Sequence, residues 1–269
     1  RGFDSHHPLF CILNYYGLGF FFAYNEPSGR ACMDIWRVSR HRVKLEKFHS
    51  VYIGEVSMKI LLCAVNAKYI HSNLAVYSLR ANAGEYRDQI ELGEYTINQY
   101  VEDILQDIYK KKPDLIAFSC YIWNIRHIRE LVRELRKVLP NVPIWLGGPE
   151  ASYDAKELLK KYPEVTGVLV GEGEESFYEL CRYYDEKRES LEDVKGLCFR
   201  DIQRKTWISK NDLARRSVAR NESEETLSTE TQKLVETGFA FIKDLSSLAF
   251  AYEDFNDFAH KIIYYESSR

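Results

Sequence analysis

The chain has 269 residues, of which 45% are hydrophobic and 29% charged, so it can bury a full core in one or two domains. Its formal net charge of -3 and pI near 6.2 exclude the dense basic surface that nucleic-acid phosphates require. The longest apolar run, residues 11–24, is shorter than the roughly 20 residues of a membrane-spanning helix and lacks the flanks of a secretion signal. We therefore expect a cytoplasmic protein with neither a nucleic-acid nor a membrane partner.

The cysteines follow no metal-binding spacing. No two of them stand at C-x-x-C distance, and the histidines show no H-x-H or H-x-x-x-H pair. Cys63, Cys120 and Cys181 lie in apolar runs or on apolar helix faces, which is typical of buried thiols in a reducing cytosol. We predict no structural metal site. The six cysteines are Cys11, Cys32, Cys63, Cys120, Cys181 and Cys198.

Residues 1–57 differ in composition from everything that follows. They mix aromatic clusters with isolated charges and show no clear period, whereas regular patterns begin at Met58. A methionine followed by Lys59 and a buried strand looks like a natural amino terminus, and codons for residues 54–56 could hold a ribosome-binding sequence. We expect residues 1–57 to be an atypical leader of upstream or fused origin. The alternative is a divergent extension that packs on the domain.

From Lys59 onward, short apolar runs alternate with amphipathic helical patterns, which indicates a parallel sheet covered on both faces. The predicted strands are residues 59–67, 89–97, 114–123, 142–148 and 165–175. The predicted helices are residues 74–86, about 101–108, 125–139, 155–162 and 175–184. Five such units predict an α/β domain over residues 58–188, with a flavodoxin-like, doubly wound, five-stranded parallel sheet.

The remaining residues, 189–269, are predicted to form a small irregular tail. Residues 194–199 and 206–209 are strand-like and indicate a hairpin, while residues 211–233 are polar and predict a linker or a marginal helix. Apolar residues return between 239 and 267. We expect these apolar residues to form an exposed, aggregation-prone surface.

In a doubly wound sheet, ligands bind beyond the carboxyl ends of the strands, near the point where the strand order reverses. The loops at these ends are residues 66–73, 119–124, 147–152 and 171–176. The sequence VPIWLGGPEASYD places two glycines at one of these strand ends, where backbone can approach a ligand closely. We therefore predict a site built from these four loops.

Several common ligands of such folds are excluded by the loop sequences. The first loop has no G-x-G-x-x-G for a dinucleotide, and GEGEES carries three carboxylates that would repel phosphate. A phosphoacceptor domain needs acidic residues where this chain has Asn66 and Ser119, and an FMN site needs more hydroxyl groups than Ser72 provides. A large, flat, partly apolar ligand with amide substituents remains. The aromatic residues near these loops suit that ligand, although each could also simply cap the core: Tyr69, Tyr121, Trp123 and Tyr153.

Three motifs together resemble the amino-terminal cobalamin-binding domain of cobalamin-dependent radical SAM proteins. They are MKILLCAVNAKYIHSNLAVYSL, GGPEASYDAKELLKKYP and GVLVGEGEESF. The end of the chain, FAYEDFNDFAHKIIYYESSR, resembles the segment that directly precedes the C-x-x-x-C-x-x-C cluster loop of those proteins. The resemblance covers residues 58–269 and implies cobalamin as the cofactor.

The resemblance also implies which residues surround the cofactor. Gly147 and Gly148 would lie against the corrin and its nucleotide tail, and Ser119 and Tyr121 would surround the tail. His71 stands three positions later than the cobalt-ligating histidine of the methionine synthase type, so we expect no histidine on the lower face of the corrin. The implied cofactor-binding residues are Asn66, Lys68, Tyr69, His71, Ser72, Asn73, Ser119, Cys120, Tyr121, Asn124, Gly147, Gly148, Pro149, Glu150, Gly171, Glu172, Gly173 and Glu174.

No C-x-x-x-C-x-x-C motif occurs in the 269 residues. Without those thiolates a chain cannot hold the 4Fe-4S cluster that cleaves S-adenosylmethionine. We therefore expect a fragment without catalytic or metal-ligating residues, the cobalamin-binding module of a methyltransferase-like parent that itself carries the cluster and S-adenosylmethionine. Its partner would be a separate radical SAM barrel polypeptide.

Two other classes of function stay open from the residues alone. One is a flavodoxin-like interaction domain without a cofactor, whose tail docks on a partner. The other is an enzyme in its own right, with Glu172, Glu174 or His71 as acid-base groups.

Overall fold

The computed structural model describes residues 57–68, 71–201, 233–252, 258 and 260–264, and the backbone of four strands between residues 10 and 53. The chain divides into two compact units, Arg1–Ser57 and Met58–Arg269. In the first unit the four strands form an antiparallel sheet in the order β1-β2-β3-β4. They are β1 (Phe10–Leu13), β2 (Gly19–Asn25), β3 (Ala31–Val38) and β4 (Leu45–Ile53). The proposed upstream origin of this unit stays a prediction.

The second unit is built on a seven-stranded sheet in the order β11-β10-β9-β8-β7-β5-β6. The strands from β5 to β9 are parallel to one another, and β10 and β11 are antiparallel additions beyond β9. The predicted α/β class is confirmed, and five strands of the sheet are parallel, but the sheet as described has seven strands in total. The strands are β5 (Ile60–Asn66), β6 (Ile90–Thr96), β7 (Leu115–Ser119), β8 (Ile144–Gly147), β9 (Gly167–Leu169), β10 (Leu197–Arg200) and β11 (Leu234–Glu236).

The two additional strands come from the part of the chain predicted to be an irregular tail. β10 overlaps the predicted strand 194–199, but its partners are β9 and β11. The predicted hairpin partner, residues 206–209, and all but the last residue of the predicted linker 211–233 lie outside the described residues. Leu197 and Cys198 of β10 are fully or almost fully buried. Without β10, β9 would be the edge strand of the sheet, and its outer backbone N–H and C=O groups would have no partner in the sheet.

The helices cover both faces of the sheet. They are α1 (Leu74–Ala81), α2 (Val101–Lys111), α3 (Ile125–Val138), α4 (Pro149–Ser152), α5 (Ala155–Lys161) and α6 (Glu174–Tyr184). The predicted helix 74–86 ends at Ala81, and a 3-10 helix, Gly84–Gln89, follows it; Gly84 has a φ of 55°. No helix in the described parts of the chain has the length and apolar character needed to cross a membrane.

Side chains on alternate strand positions enter two separate cores, as the pleat requires. Leu62 and Ala64 pack against α1 and α6, whereas Leu61, Cys63 and Val65 pack against α2, α3 and α5. The predicted burial of Cys63, Cys120 and Cys181 is confirmed, since each is 0% exposed. Burial raises the pKa of the Cys120 thiol to about 12, so this thiol is protonated and unreactive at neutral pH.

Some of the apolar tail residues are exposed as predicted and others are buried, and the predicted tendency to aggregate stays a prediction. Phe239 and Phe241 are 65% and 67% exposed. Ala240, which lies between them, and Ile242, which follows Phe241, are buried. The buried aromatic pair Tyr252 and Phe258 contacts Tyr77 of α1. Residues 239–242 therefore alternate between side chains that face solvent and side chains that are buried.

We predict that Gly167→Ala destabilises the second unit by overpacking the sheet. A Cβ atom at Gly167 would lie 2.5 Å from Cζ3 of Trp145 and 2.9 Å from Cβ of Phe199, and Trp145 is almost fully buried. We expect the free energy of unfolding to fall by about 1 to 3 kcal/mol. Chemical denaturation followed by circular dichroism measures this.

The matched control is Gly147→Ala, in the neighbouring strand, because its Cβ would meet Leu169 at an ordinary 3.7 Å. This control should change the stability by less than about 1 kcal/mol. If both variants changed the free energy of unfolding equally, the close contact between residue 167 and Trp145 would not be what restricts the size of the side chain there.

Candidate functional site

A cavity of about 420 Å³ opens at the carboxyl edge of the parallel strands. The strand order reverses between β5 and β7, so the cavity lies where doubly wound folds bind their ligands. Its floor comes from the sheet residues Leu62, Ala117 and Leu169. One wall comes from α1, through Leu74, Ala75, Val76 and Leu79. The volume and the mostly apolar lining are those of a small-molecule site.

The rim of the cavity is partly exposed glycine backbone at the end of β8. Gly148 has a φ of 93°, and a Cβ atom there would lie 2.6 Å from the carbonyl oxygen of Cys120. The amide of Cys120 donates to the carbonyl of Gly147 at 2.7 Å, so the ends of β7 and β8 are held together. Only glycine fits this close approach without strain. A ligand at this rim therefore meets backbone rather than side chain.

Asn124 fixes the ends of the two central strands. Its side chain is fully buried, and its Nδ2 donates to the carbonyls of Val65 and Ser119 at 3.0 and 2.9 Å. Its Oδ1 accepts from the amide of Tyr121 at 2.7 Å. All of its hydrogen bonds are to backbone, so Asn124 supports the loop and does not face the cavity.

A second buried amide lies beside the cavity. The Nδ2 of Asn73 donates to the hydroxyl of Ser119 at 2.9 Å, and Ser119 lines the cavity. The Oδ1 of Asn73 is buried and has no hydrogen-bond partner in the protein. Asn66 completes the group, with its Nδ2 donating to the carbonyl of His71 at 3.0 Å. A buried amide oxygen without a partner is costly, so this corner is suited to receive a further donor.

The opposite side of the cavity is formed by the acidic loop after β9. Glu174, the first residue of α6, is 4% exposed and accepts from the hydroxyl of Ser78 at 2.7 Å. The carboxylate of Glu172 accepts from the amide of Ile242 in the tail. This hydrogen bond attaches the tail to the loop.

His71 is held by the tail at the other end of the site. Its Nδ1 lies 2.5 Å from the hydroxyl of Tyr264, and the two rings are stacked with centroids 5.7 Å apart. The amide of Ser72 donates to the carbonyl of Ile262 at 3.1 Å. An ion pair between Lys261 and Glu94, at 2.6 Å, lies beside them.

Eight of the predicted residues line the cavity: Ser119, Tyr121, Gly147, Gly148, Gly171, Glu172, Gly173 and Glu174. Asn66, His71, Ser72 and Asn73 lie in the adjoining loop, where Lys68 is exposed; Tyr69 is outside the described residues. Cys120 packs in the core on the opposite face of the sheet, and Asn124 supports the loop. Pro149 and Glu150 begin α4, and Pro149 is exposed. The α1 wall was not among the predicted residues. Its position directly after the first strand would have indicated it.

Within the described residues, no group of three or more His, Cys, Asp or Glu side chains could hold a metal ion.

We predict that Asn124→Ala destabilises the second unit and disorders the 119–124 loop. The change removes three hydrogen bonds and leaves buried backbone groups unpaired, so the free energy of unfolding should fall by about 3 kcal/mol or more. Chemical denaturation measures the loss. Asn141→Ala, at an exposed position, is the control and should change stability by less than about 0.5 kcal/mol. A loss as small as that of the control would show that Asn124 does not support the loop.

All residues that line the cavity belong to the part of the chain that matches a known domain family. Residues 60–181 match the family described as the B12 binding domain. The cobalamin-dependent radical SAM methyltransferase TokK of Streptomyces tokunonensis is 36% identical over 69 residues, which are 26% of this chain and 10% of that protein. The anaerobic magnesium-protoporphyrin IX monomethyl ester cyclase of Cereibacter sphaeroides is 29% identical over 102 residues, 37% of this chain and 17% of that protein.

Among solved structures, the apo form of the cobalamin-dependent S-adenosylmethionine radical enzyme OxsB is similar, with a TM-score of 0.44 and 12% identity. That match covers 75% of this chain and 31% of the OxsB chain. The chain therefore matches only a small part of the length of its curated relatives and about a third of this structure.

Proposed function

Because residues 60–181 are a B12-binding domain that resembles the one of cobalamin-dependent radical SAM enzymes, we propose that this chain binds cobalamin. Its role would be that of the cobalamin-binding module of a radical SAM, methyltransferase-like protein. The observation that carries the proposal is the cavity of about 420 Å³ at the strand-order reversal, with its glycine rim. The interaction domain without a cofactor is not favoured, since it gives no account of this cavity or of the family match.

The residues present fit the nucleotide tail of a cobalamin. The tail consists of a flat aromatic base on a ribose, and it needs an apolar slot with a few polar groups. The cavity supplies apolar walls from Leu62, Leu79 and Leu169 and small residues at its mouth. The unpaired Oδ1 of Asn73 lies in the same polar corner as Ser119. A filled slot would also bury the apolar wall that is now open to solvent.

Each rim group has a distinct part in this proposal. Gly147 and Gly148 would let backbone approach the corrin and its tail, with Pro149 and Glu150 at the edge. Ser119 and Tyr121 would contact the buried tail. Asn124 would hold the loop that carries them, without touching the ligand. When bound, cobalamin supplies a cobalt centre that can carry a methyl group, and these residues would hold and orient it.

His71 contacts the carboxyl-terminal tail of the chain, and we propose that it is not an axial ligand of the corrin. The Nδ1 of its ring contacts the hydroxyl of Tyr264, and the two rings are stacked. Both contacts hold the imidazole against the carboxyl-terminal tail of the chain. The backbone of His71 pairs with Ile262, which further restrains it. These contacts engage Nδ1 and not Nε2, so the proposal that the corrin has no protein histidine on its lower face rests on the place of His71 in the loop sequence.

The chemistry of the parent protein is a wider proposal. One relative is a methyltransferase and another is a cyclase. The proposal that the parent protein transfers a methyl group therefore rests on the methyltransferase and not on the cyclase. The 4Fe-4S cluster and S-adenosylmethionine would be bound by a radical SAM barrel, and in this proposal a separate barrel polypeptide would be the partner of the chain. Cobalamin binding by this chain is testable without that partner.

We predict that the purified 269-residue chain retains hydroxocobalamin through desalting, and that Gly148→Ala lowers the affinity by about tenfold or more. The added Cβ would collide with the backbone of Cys120 and displace the rim. A tenfold loss corresponds to about 1.4 kcal/mol, which is well within the cost of such a displacement. A titration followed by the visible spectrum measures the affinity.

Gly238→Ala is the matched control for this substitution. Gly238 also has a positive φ, of 89°, but a Cβ atom there meets nothing within 4 Å. It therefore introduces the same kind of backbone strain away from the cavity and should leave the affinity unchanged. A folded wild-type chain that retains no corrinoid would contradict the proposed function.

We also predict that His71→Ala leaves the visible spectrum of the bound corrinoid unchanged. His71 stands three positions later than the cobalt-ligating histidine of the methionine synthase type, so it is not expected to contribute an axial nitrogen. Electron paramagnetic resonance of the cob(II)alamin form tests the same point through nitrogen hyperfine splitting. Loss of such a splitting in the variant would show that His71 is a ligand after all.

A further inference from the structure

We infer that Phe239, in the carboxyl-terminal tail of the chain, is a ligand-binding residue that contacts the corrin macrocycle where it projects from the cavity. This inference rests on the proposed function, because it concerns the same ligand and the same cavity. It adds a binding residue from outside the four loops and assigns it to the macrocycle and not to the nucleotide.

The cavity is too small for a whole corrinoid. Its volume of about 420 Å³ is near the lower end of the range for sites that enclose a drug-sized molecule. A corrin macrocycle with its amide side chains and its nucleotide is much larger than such a molecule. When the nucleotide fills the cavity, the macrocycle must therefore lie outside it, over the carboxyl edge of the sheet. The side chains around the mouth of the cavity then become the binding surface for the macrocycle.

Phe239 lies at this mouth. Its ring packs against Gly171, which lines the cavity: a Cβ atom at Gly171 would lie 2.8 Å from Cε1 and 2.9 Å from Cζ of the ring. Gly171 follows β9, and β9 is the neighbour of β8, whose end carries the glycine rim. The ring therefore stands beside the rim over which the macrocycle would lie. The contact with Gly171 leaves Phe239 65% exposed.

The backbone of the chain holds Phe239 in this place. The amide of Ala240 donates to the carbonyl of Val170, and the amide of Glu172 donates to the carbonyl of Ala240, both at 3.1 Å. The side chain of Ala240 is buried in space that Gly196 leaves free, since a Cβ atom at Gly196 would lie 2.4 Å from the Cβ of Ala240. With Ala240 fixed on the inner side, the ring of Phe239 is directed outward.

An exposed aromatic ring in this position favours a large ligand with an apolar surface. Covering apolar surface stabilises a complex by about 25 cal/mol for each Å² removed from water. The corrin macrocycle presents such surface, because methyl groups lie between the amide side chains at its edge. A second aromatic group flanks the rim on the β7 side, where Tyr121 lines the cavity and stacks on Trp123 with ring centroids 4.6 Å apart. The glycine rim of β8 thus lies between two aromatic groups.

The experiment measures corrinoid affinity by visible-spectrum titration on the full 269-residue chain. Hydroxocobalamin is compared with cobinamide, which has the macrocycle but no nucleotide. The variants are Phe239→Ala, Phe239→Leu, which keeps an apolar side chain, and the control Tyr109→Ala. Tyr109 is also an exposed aromatic residue, with 51% exposure, but it lies in the last turn of α2. That helix ends at the opposite edge of the sheet, where the amide of Asp114 donates to the carbonyl of Lys59.

We expect Phe239→Ala to weaken the binding of both corrinoids by about fivefold to tenfold, because it removes a contact with the macrocycle that they share. Phe239→Leu should keep most of the affinity, and Tyr109→Ala should change neither corrinoid. An unchanged affinity for cobalamin in Phe239→Ala would overturn the inference. A loss confined to cobalamin, or a wild type that binds cobalamin but no cobinamide, would also overturn it, because the macrocycle would then not be the group that Phe239 binds.

Thiol labelling of Phe239→Cys separates direct contact from an indirect effect on the loop after β9. A maleimide reacts with an accessible thiol, and mass spectrometry identifies the labelled position. We expect saturating methylcobalamin to slow labelling at residue 239 by about tenfold or more, because the bound macrocycle covers the thiol. Labelling of Tyr109→Cys should not change.

If Phe239→Ala weakened binding but methylcobalamin gave residue 239 no protection, the side chain would only support the loop, and the inference would be wrong. A folded wild-type chain that binds neither corrinoid would overturn the proposed function itself. A wild type that binds cobalamin with full affinity in the Phe239→Ala variant would overturn only the role of Phe239.

Discussion

The close backbone contact between the ends of β7 and β8 is the constraint on which the site depends. The amide of Cys120 donates to Gly147 at 2.7 Å, and the carbonyl of Cys120 occupies the space that a Cβ atom at Gly148 would need. The contact turns the chain sharply into α4, whose Ser152 donates to the carbonyl of Leu169 in β9 at 3.0 Å. One pair of glycines thereby joins three strand ends into a single rim, and this rim adds no side chain to the cavity beneath it.

The carboxyl-terminal tail of the chain contacts two loops at opposite ends of the site. Ala240 pairs with Gly171 in the acidic loop, and Ile262 pairs with His71 in the loop after β5. Between these contacts, Tyr252 and Phe258 bury their rings against Tyr77 of α1. The same helix supplies a wall of the cavity, so the tail, α1 and the two loops pack as one layer. This arrangement explains why an apolar segment that reads as exposed in the sequence is half buried in the structure.

The β-α units could be predicted from the sequence because their signals are local. An apolar run such as Ile60–Asn66 and the helical spacing of Ile128, Leu131 and Leu135 depend only on nearby residues. The pairing of β10 with β11 depends on residues 197–200 meeting residues 234–236, and no nearby pattern specifies this partner. The sequence predicts a local hairpin from neighbouring residues, and it gives no signal for the distant partner β11.

For the site, the sequence by itself determined which strand ends carry glycines, amides and carboxylates, because the order of β-α units sends these loops to one edge of the sheet. The tertiary structure decided which of those side chains face the cavity. Ser119 faces it, whereas its neighbour Cys120 enters the opposite core and Asn124 turns inward to bond backbone. It also decided that Glu174 is buried beside Ser78 while Glu175 is exposed. Those choices depend on packing between α1, α6 and the sheet, and such contacts join residues that are far apart in the chain.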